Sequence, residues 1–143
     1  STFWTERIGP TAALKTLEVM KETQSWQIIT NTGLEVKSKW RDLFNRNELE
    51  YIETGIPALA GFVFKSKNNL IYKTYITQEM LKKGYLAANS IYICVLHKKK
   101  ILDRYFNELD CILKIIKKCE NEEVSVKSLL EGEVCHSGFR RLN

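Results

Sequence analysis

The longest regular pattern in the sequence reads KKILDRYFNELDCILKIIKKC, from Lys99 to Cys119. Its apolar residues recur every three or four positions, which predicts a long amphipathic helix with one buried face. The acidic residues precede the lysines of its last turns, an order that suits the helix dipole. A single helix packed on a small sheet explains this stripe, and the pattern therefore predicts a fold in which helices cover a sheet.

The strands of that sheet are predicted upstream of the long helix. Residues 49–54 and 58–65 alternate in polarity and carry β-branched and aromatic side chains, with Gly55-Ile56-Pro57 as the turn between them. Residues 72–83 return to helical spacing and end at Gly84, a C-cap glycine. Residues 85–87 and 91–96 are two further extended segments. We therefore expect one α/β unit with three to five strands.

Two more helices are predicted before the sheet. Gly9-Pro10 opens the first, over residues 11–21, because proline in a first turn lacks only an amide hydrogen that the helix does not use. Ser25 is interpreted as the N-cap of a second helix that extends to Leu43. Gly33 costs that helix about 1 kcal/mol relative to alanine, so a kink or a break near residues 32–33 stays open.

Composition limits the classes of function. The net charge of +5 over 143 residues is mild, and only Lys98–Lys100 forms a cluster, as is typical of a solvated helix start, so no nucleic-acid surface is expected. The four cysteines form no C-x-x-C pair and the two histidines match no ligand spacing, so we expect neither disulfides nor a metal site. Cys94 and Cys111 are expected to be buried thiols. Without a secretion signal or a membrane-spanning apolar run, a cytosolic protein is expected.

Three strings, in this order along the chain, carry a resemblance to a known family. Residues 5–17, TERIGPTAALKTL, place a threonine before a glycine-proline turn and an alanine-containing helix. Residues 80–92, MLKKGYLAANSIY, lead from a methionine-leucine helix end through glycine to a strand. Leu96-His97 then precedes an acidic, amphipathic final helix. Together they resemble the C-terminal part of class III aminotransferases, which use pyridoxal phosphate (PLP), in the branch of glutamate-1-semialdehyde aminomutase.

The resemblance implies the small C-terminal domain of a fold type I PLP aminotransferase, in which helices cover a small, mostly antiparallel sheet. Residues 1–143 would form this single domain, with 1–23 as the link to a missing large domain. The family's PLP-binding lysine lies upstream of the threonine segment, so it falls before Ser1 and no catalytic residue is assigned here. The implied full-length enzyme is a cytoplasmic homodimer that binds PLP, whereas the chain alone is expected to bind no PLP and to be inactive.

The resemblance also assigns binding residues. Thr5, aligned from Pro10, would donate to the PLP phosphate of the neighbouring subunit, and Thr2 is the fallback; the alternative for Thr5 is an ordinary cap at the helix entry. Asn89 and Ser90 lie where the family strand turns toward the substrate, the alternative being a plain polar turn. The segment after Ser90 is shorter than in the aminomutase and uncharged, which favours an aminotransferase acting on another carbonyl substrate.

A second hypothesis comes from a different functional class. A free-standing interaction module would use the long helix and the aromatic rings of Trp4, Trp26 and Trp40 to bind a protein partner. An upstream reading frame that contains a strand ending in lysine favours the aminotransferase. A natural start codon at Ser1 favours the module.

Overall fold

Four α-helices and three short strands make up the part of the chain that the structure, a computed structural model, describes: residues 5–136 and 138. In order they are α1 (Ile8–Thr23), α2 (Ser25–Arg46), β1 (Tyr51–Thr54), β2 (Leu59–Phe64), α3 (Asn69–Lys82), β3 (Ser90–Tyr92) and α4 (Lys99–Glu120). A single 3₁₀ turn, Val126–Ser128, follows α4. The expected class, a small antiparallel sheet covered by helices, is confirmed.

The sheet has the order β1-β2-β3, and both pairs of neighbouring strands are antiparallel. Tyr51 lies opposite Phe64, and Leu59 lies opposite Tyr92. Gly55 adopts a φ of 70° in the turn between β1 and β2, a conformation that favours glycine. The two strands predicted on either side of this turn are therefore confirmed, each shorter than expected.

The expectation that residues 85–87 form a further extended segment of the sheet is wrong, because they complete the end of α3 instead. Gly84 has a φ of 82°, its amide donates to the Leu81 carbonyl, and the Tyr85 amide donates to the Met80 carbonyl. These two bonds are those of a Schellman motif, in which a left-handed glycine terminates a helix. Gly84 is thus the C-cap glycine that the sequence predicts, and the residues after it leave the helix without joining a strand.

The core lies between one face of the sheet and helices α2, α3 and α4. Phe62 on β2 packs edge-on against Trp40 of α2, with ring centroids 4.9 Å apart. The buried Trp40 indole donates to the Tyr105 hydroxyl of α4 at 3.2 Å, so its N–H is satisfied. The predicted apolar stripe of α4 is buried except at Ile101, which is 46% exposed, and Cys119 is buried with it. The buried residues are Leu102, Tyr105, Phe106, Leu109, Ile112, Leu113, Ile116 and Cys119. The other face of the sheet is open and leaves Ile52 and Tyr92 exposed.

Gly33 allows α2 to approach the turn before β2 closely, and the helix runs through it without a break. A Cβ atom at this position would lie 2.0 Å from the Pro57 carbonyl oxygen, well inside any real contact. Beside it, the Lys37 Nζ donates to the Gly55 carbonyl at 2.6 Å. The break considered for residues 32–33 is therefore absent, and the glycine allows α2 to pack against this turn.

Ser25 does not cap α2, contrary to the sequence-based interpretation. The N-cap position is Gln24, in a left-handed conformation with φ 49°, and Ser25 is the first helical residue. The Ser25 side chain is buried, and its Oγ has no hydrogen-bond partner within the described part of the chain. Only Gln24 connects α1 to α2, too short a connection to place an extended serine before the second helix.

The cysteine expectation is also partly wrong. Cys94 and Cys111 are both exposed, whereas Cys119 is the buried thiol; all four cysteines are free. Cys94 lies beyond the end of β3, and Cys111 is nine residues after Leu102, which at about 100° per residue places it on the opposite side of α4. Burial raises the pKa of the Cys119 thiol.

Helix α1 contributes little to this core. It contains no buried residue over 16 positions and packs mainly against α2. Leu14 and Leu17 are 70% and 62% exposed. A helix of this length gains little stability from its own hydrogen bonds in water.

Candidate functional site

The lysines decide whether this chain can hold PLP covalently, because a Schiff-base lysine must be desolvated or otherwise deprotonated to act as a nucleophile. No lysine is buried in the described residues. Lys37, with only 12% of its side chain exposed, is held by the Gly55 carbonyl and by Glu53 at 3.3 Å. Hydrogen bonds that Lys82 donates to the carboxylates of Glu131 and Glu79 raise the pKa of Lys82, and the bond that Lys99 donates to the Asp103 carboxylate raises the pKa of Lys99. The contacts of Lys82 and Lys99 favour the charged amine, the opposite of what aldimine formation requires.

The rest of a PLP site does not fit the described residues either. The ring nitrogen of PLP is normally matched by an acidic side chain in a dry pocket, beside donors for the phosphate. No aspartate or glutamate between residues 5 and 136 is buried, so no carboxylate in a dry environment is available for this role. A complete PLP site is therefore not present in the part of the chain that the structure describes.

Thr5 is exposed and lies just before α1. It does not cap the helix, because Glu6 does so: the Glu6 carboxylate oxygens accept the amides of Ile8 and Gly9 at 2.8 and 2.7 Å. The alternative role considered for Thr5, an ordinary helix-entry cap, thus belongs to its neighbour, a contact that the sequence analysis missed. Thr2, the fallback, lies outside the described residues.

Asn89 and Ser90 are adjacent in sequence but make different contacts. The Asn89 side-chain amide donates to the Phe62 carbonyl at 2.8 Å, and the Asn89 carbonyl accepts the Phe62 amide at 2.9 Å. These two bonds tie the start of β3 to the middle of β2. Ser90 is exposed and lies opposite Gly61 on the open face of the sheet.

Ser90 lines a cleft of about 380 Å³ between the 84–92 segment and the start of α4. Tyr85, Tyr92 and His97 line the same cleft. The His97 Nδ1 accepts the Cys94 amide at 3.1 Å, which leaves the proton of the neutral ring on Nε2. Thr5 is not among the residues that line this cleft, so the structure does not bring the candidate phosphate and substrate residues together.

The described residues contain neither a metal-binding cluster nor a membrane-spanning helix. No group of three or more histidine, cysteine or acidic side chains is placed to hold a metal ion there. Across the same residues, none of the helices is both long enough and apolar enough to span a membrane.

Comparison with known proteins identifies a fold and no family. No protein-family model matches the sequence, and no curated protein matches it significantly. Among solved structures, the chain resembles the FumI protein of Sphingopyxis sp. MTA144, whose structure is described as its PLP internal aldimine form. The TM-score is 0.71 at 16% sequence identity, and the match covers 91% of this chain and 32% of that one. At this identity the likeness shows the fold alone, and the chain spans about a third of the FumI chain.

Proposed function

We propose that this chain is the C-terminal small domain of a PLP-dependent aminotransferase similar to the class III family, and that a large domain completes it. The observation that carries the proposal is the fold: nine tenths of the chain superposes on one third of a protein that forms a PLP internal aldimine. The absence of a buried lysine in residues 5–136 agrees with a domain that leaves the covalent chemistry to another part of the enzyme.

In this proposal the domain shapes and closes the substrate pocket with the open face of its sheet. Ser90 is the residue best placed for this, because its side chain is exposed beside the cleft that Tyr85, Tyr92 and His97 line. Asn89 holds β3 against β2 and so positions Ser90. The substrate is a carbonyl compound or amino donor, and the segment after Ser90, which lacks a charged residue, favours a transaminase over an aminomutase.

Thr5 is proposed to donate to the PLP phosphate of a second subunit in the assembled homodimer, with Thr2 as the fallback. Its exposed position before α1 leaves the hydroxyl available, since Glu6 already satisfies the first amides of the helix. A hydroxyl donating to a phosphate oxygen makes a charge-assisted hydrogen bond, which is stronger than a neutral one.

The experiment compares the chain with the polypeptide encoded by its intact reading frame. The longer protein is expected to show the absorbance of a PLP–lysine aldimine and to transaminate, whereas the chain alone shows neither. In the longer protein, Thr5→Ala is expected to weaken PLP binding about tenfold, the loss of one charge-assisted hydrogen bond. Thr11→Ala, at an exposed position on α1, is the matched control and should leave the affinity unchanged.

The outcomes separate the parts of the proposal. A reading frame that begins at Ser1, or a longer protein without PLP, contradicts the function as a whole. Equal affinities in Thr5→Ala and Thr11→Ala contradict only the role of Thr5. Ser90→Ala should raise KM without changing the affinity for PLP, and an unchanged KM would remove Ser90 from the substrate pocket.

A further inference from the structure

The cleft beside Ser90 is built without an acidic side chain, a lysine or an arginine. Residues 84–97 supply most of its wall and contain none of these residue types, although 27% of the chain is charged. Ile101, Leu102 and Tyr105 of α4 complete the wall in the described part of the chain. An ion that entered this cleft would therefore meet no counter-ion from this domain.

The charged residues that flank this stretch lie elsewhere. Lys83, just before it, pairs with Glu108 at 3.5 Å. Lys98, just after it, lines a separate groove beside α1. The first two amides of α4 belong to Lys99 and Lys100, and neither residue lines the cleft. The cleft therefore does not use the start of this helix as an anion site.

The polar groups of the cleft are neutral. Ser90 offers an exposed hydroxyl. The His97 Nδ1 accepts the Cys94 amide at 3.1 Å, which a protonated ring cannot do because both of its nitrogens carry hydrogen. Tyr85 packs edge-on against Tyr105, with ring centroids 6.2 Å apart, and so holds aromatic surface at the cleft. Apolar and aromatic walls with a few neutral polar groups are typical of a small-molecule pocket.

We propose that this cleft receives the end of the substrate remote from the reacting amine or carbonyl, and that this end is an uncharged alkyl or aromatic group. The volume of about 380 Å³ is ample, since a cavity of about 150 Å³ holds benzene. A carboxylate here would lose hydration without gaining an ion pair, whereas an apolar group gains free energy on leaving water. The inference rests on the proposed function, because it names the substrate class of the same pocket.

The test uses the longer protein encoded by the intact reading frame, loaded with PLP, and two amines with equal carbon chains. Hexylamine ends in a methyl group, whereas 6-aminohexanoate ends in a carboxylate. Each amine is mixed with the protein, and the transfer of its amino group to the bound PLP is followed by the absorbance of the cofactor. The second-order rate constant for hexylamine is expected to exceed that for 6-aminohexanoate at least about tenfold.

A cation placed in the cleft should shift this preference. Ile101→Lys introduces one at a position that is 46% exposed and lines the cleft. It is expected to raise the rate constant for 6-aminohexanoate relative to that for hexylamine about tenfold. Leu81→Lys makes the same change of charge at a 57% exposed position of α3 outside the cleft, and is the matched control with an unchanged ratio. Melting temperatures equal to that of the parent protein show that both variants fold.

The outcomes separate this inference from the proposed function. A reading frame that begins at Ser1, or a longer protein that binds no PLP, contradicts both. A PLP-loaded protein that prefers 6-aminohexanoate, reacts equally with the two amines or reacts with neither contradicts the inference alone. The same ratio of rate constants in Ile101→Lys and Leu81→Lys also contradicts it, because the cleft then does not contact the remote end of the substrate.

Discussion

Replacing Gly33 with alanine perturbs the contact between α2 and the turn before β2 most directly. The added Cβ would lie 2.0 Å from the Pro57 carbonyl oxygen, where real contacts essentially never fall below 3.0 Å, so the two backbones must separate by about 1 Å. Both partners are main chain, and no side-chain rotation relieves the clash.

The magnitude follows from two opposing effects. Overpacking of a rigid contact costs about 1–3 kcal/mol, and a backbone clash belongs at or above the upper end. Alanine returns about 1 kcal/mol through its higher helix propensity. We therefore expect Gly33→Ala to lower the free energy of unfolding by about 2 kcal/mol, or the melting temperature by about 6 °C for a chain of this size.

The measurement is urea unfolding followed by circular dichroism and Trp40 fluorescence, with NMR shifts at residues 55–58 to locate the strain. Gly9→Ala is the control, because its Cβ meets only the flexible Glu6 carboxylate, at 2.6 Å, and its stability should stay within about 0.5 kcal/mol. If Gly33→Ala is as stable as the parent chain or more so, the close approach of α2 to this turn is refuted.

Three other substitutions test separate contacts by urea unfolding. Ser25→Ala should stabilise the chain by about 1 kcal/mol, since it removes a buried hydroxyl without a partner, and a loss of stability would show that the hydroxyl is bonded. Asn89→Ala should lower the free energy of unfolding by about 1–2 kcal/mol, because it leaves the Phe62 carbonyl unpaired. An unchanged free energy of unfolding would show that this hydrogen bond does not stabilise β3. Burial raises the pKa of Asp110, but hydrogen bonds from Lys114 and Asn47 outweigh it and hold the pKa below its usual value. A carboxyl group whose pKa is lower in the folded than in the unfolded chain stabilises the fold at pH values above its unfolded-state pKa. This stabilisation is lost as the pH falls through the folded-state pKa. The Asp110→Asn variant should therefore lose less stability than the parent chain between about pH 7 and about pH 3.

The sequence predicts the elements with strong periodicity and misses what depends on close tertiary contacts. The stripe of α4 and the C-cap at Gly84 are confirmed because both depend on local spacing and local backbone conformation. Gly33 is present in a regular helical pattern, and only the position of Pro57 explains it. The expectation for Cys111 is wrong because the position of a residue around the helix axis, and not its apolar neighbours in sequence, determines its burial.

The candidate site is the part that sequence reasoning reaches least. Asn89 follows from the resemblance as a substrate residue, yet its amide bonds the Phe62 carbonyl, a pairing 27 residues apart that no local pattern predicts. His97 and Tyr85 join Ser90 in a cleft only because α3 ends where it does. Tyr85 directly follows the predicted C-cap glycine, so the sequence indicates its position at a helix end. The cleft itself depends on residues that are distant in sequence.

The structure removes two of the surfaces that the interaction-module hypothesis would use to bind a partner. The stripe of α4 and the Trp40 ring are both buried within the chain, so neither offers a docking surface. Trp26 is 46% exposed on α2, and Trp4 lies outside the described residues. The large apolar side chains that stay exposed include Leu14 and Leu17 on α1, Tyr92 on the open face of the sheet, and Leu86 after α3.

The central claim, that the PLP-binding lysine lies outside residues 1–143, is tested most directly by trapping. The chain is incubated with equimolar PLP, reduced with borohydride and analysed by peptide mass spectrometry. We expect only scattered, substoichiometric adducts on exposed lysines, because no lysine of the described residues is buried. A single lysine modified to near completion, with a stable aldimine absorbance before reduction, would contradict the claim.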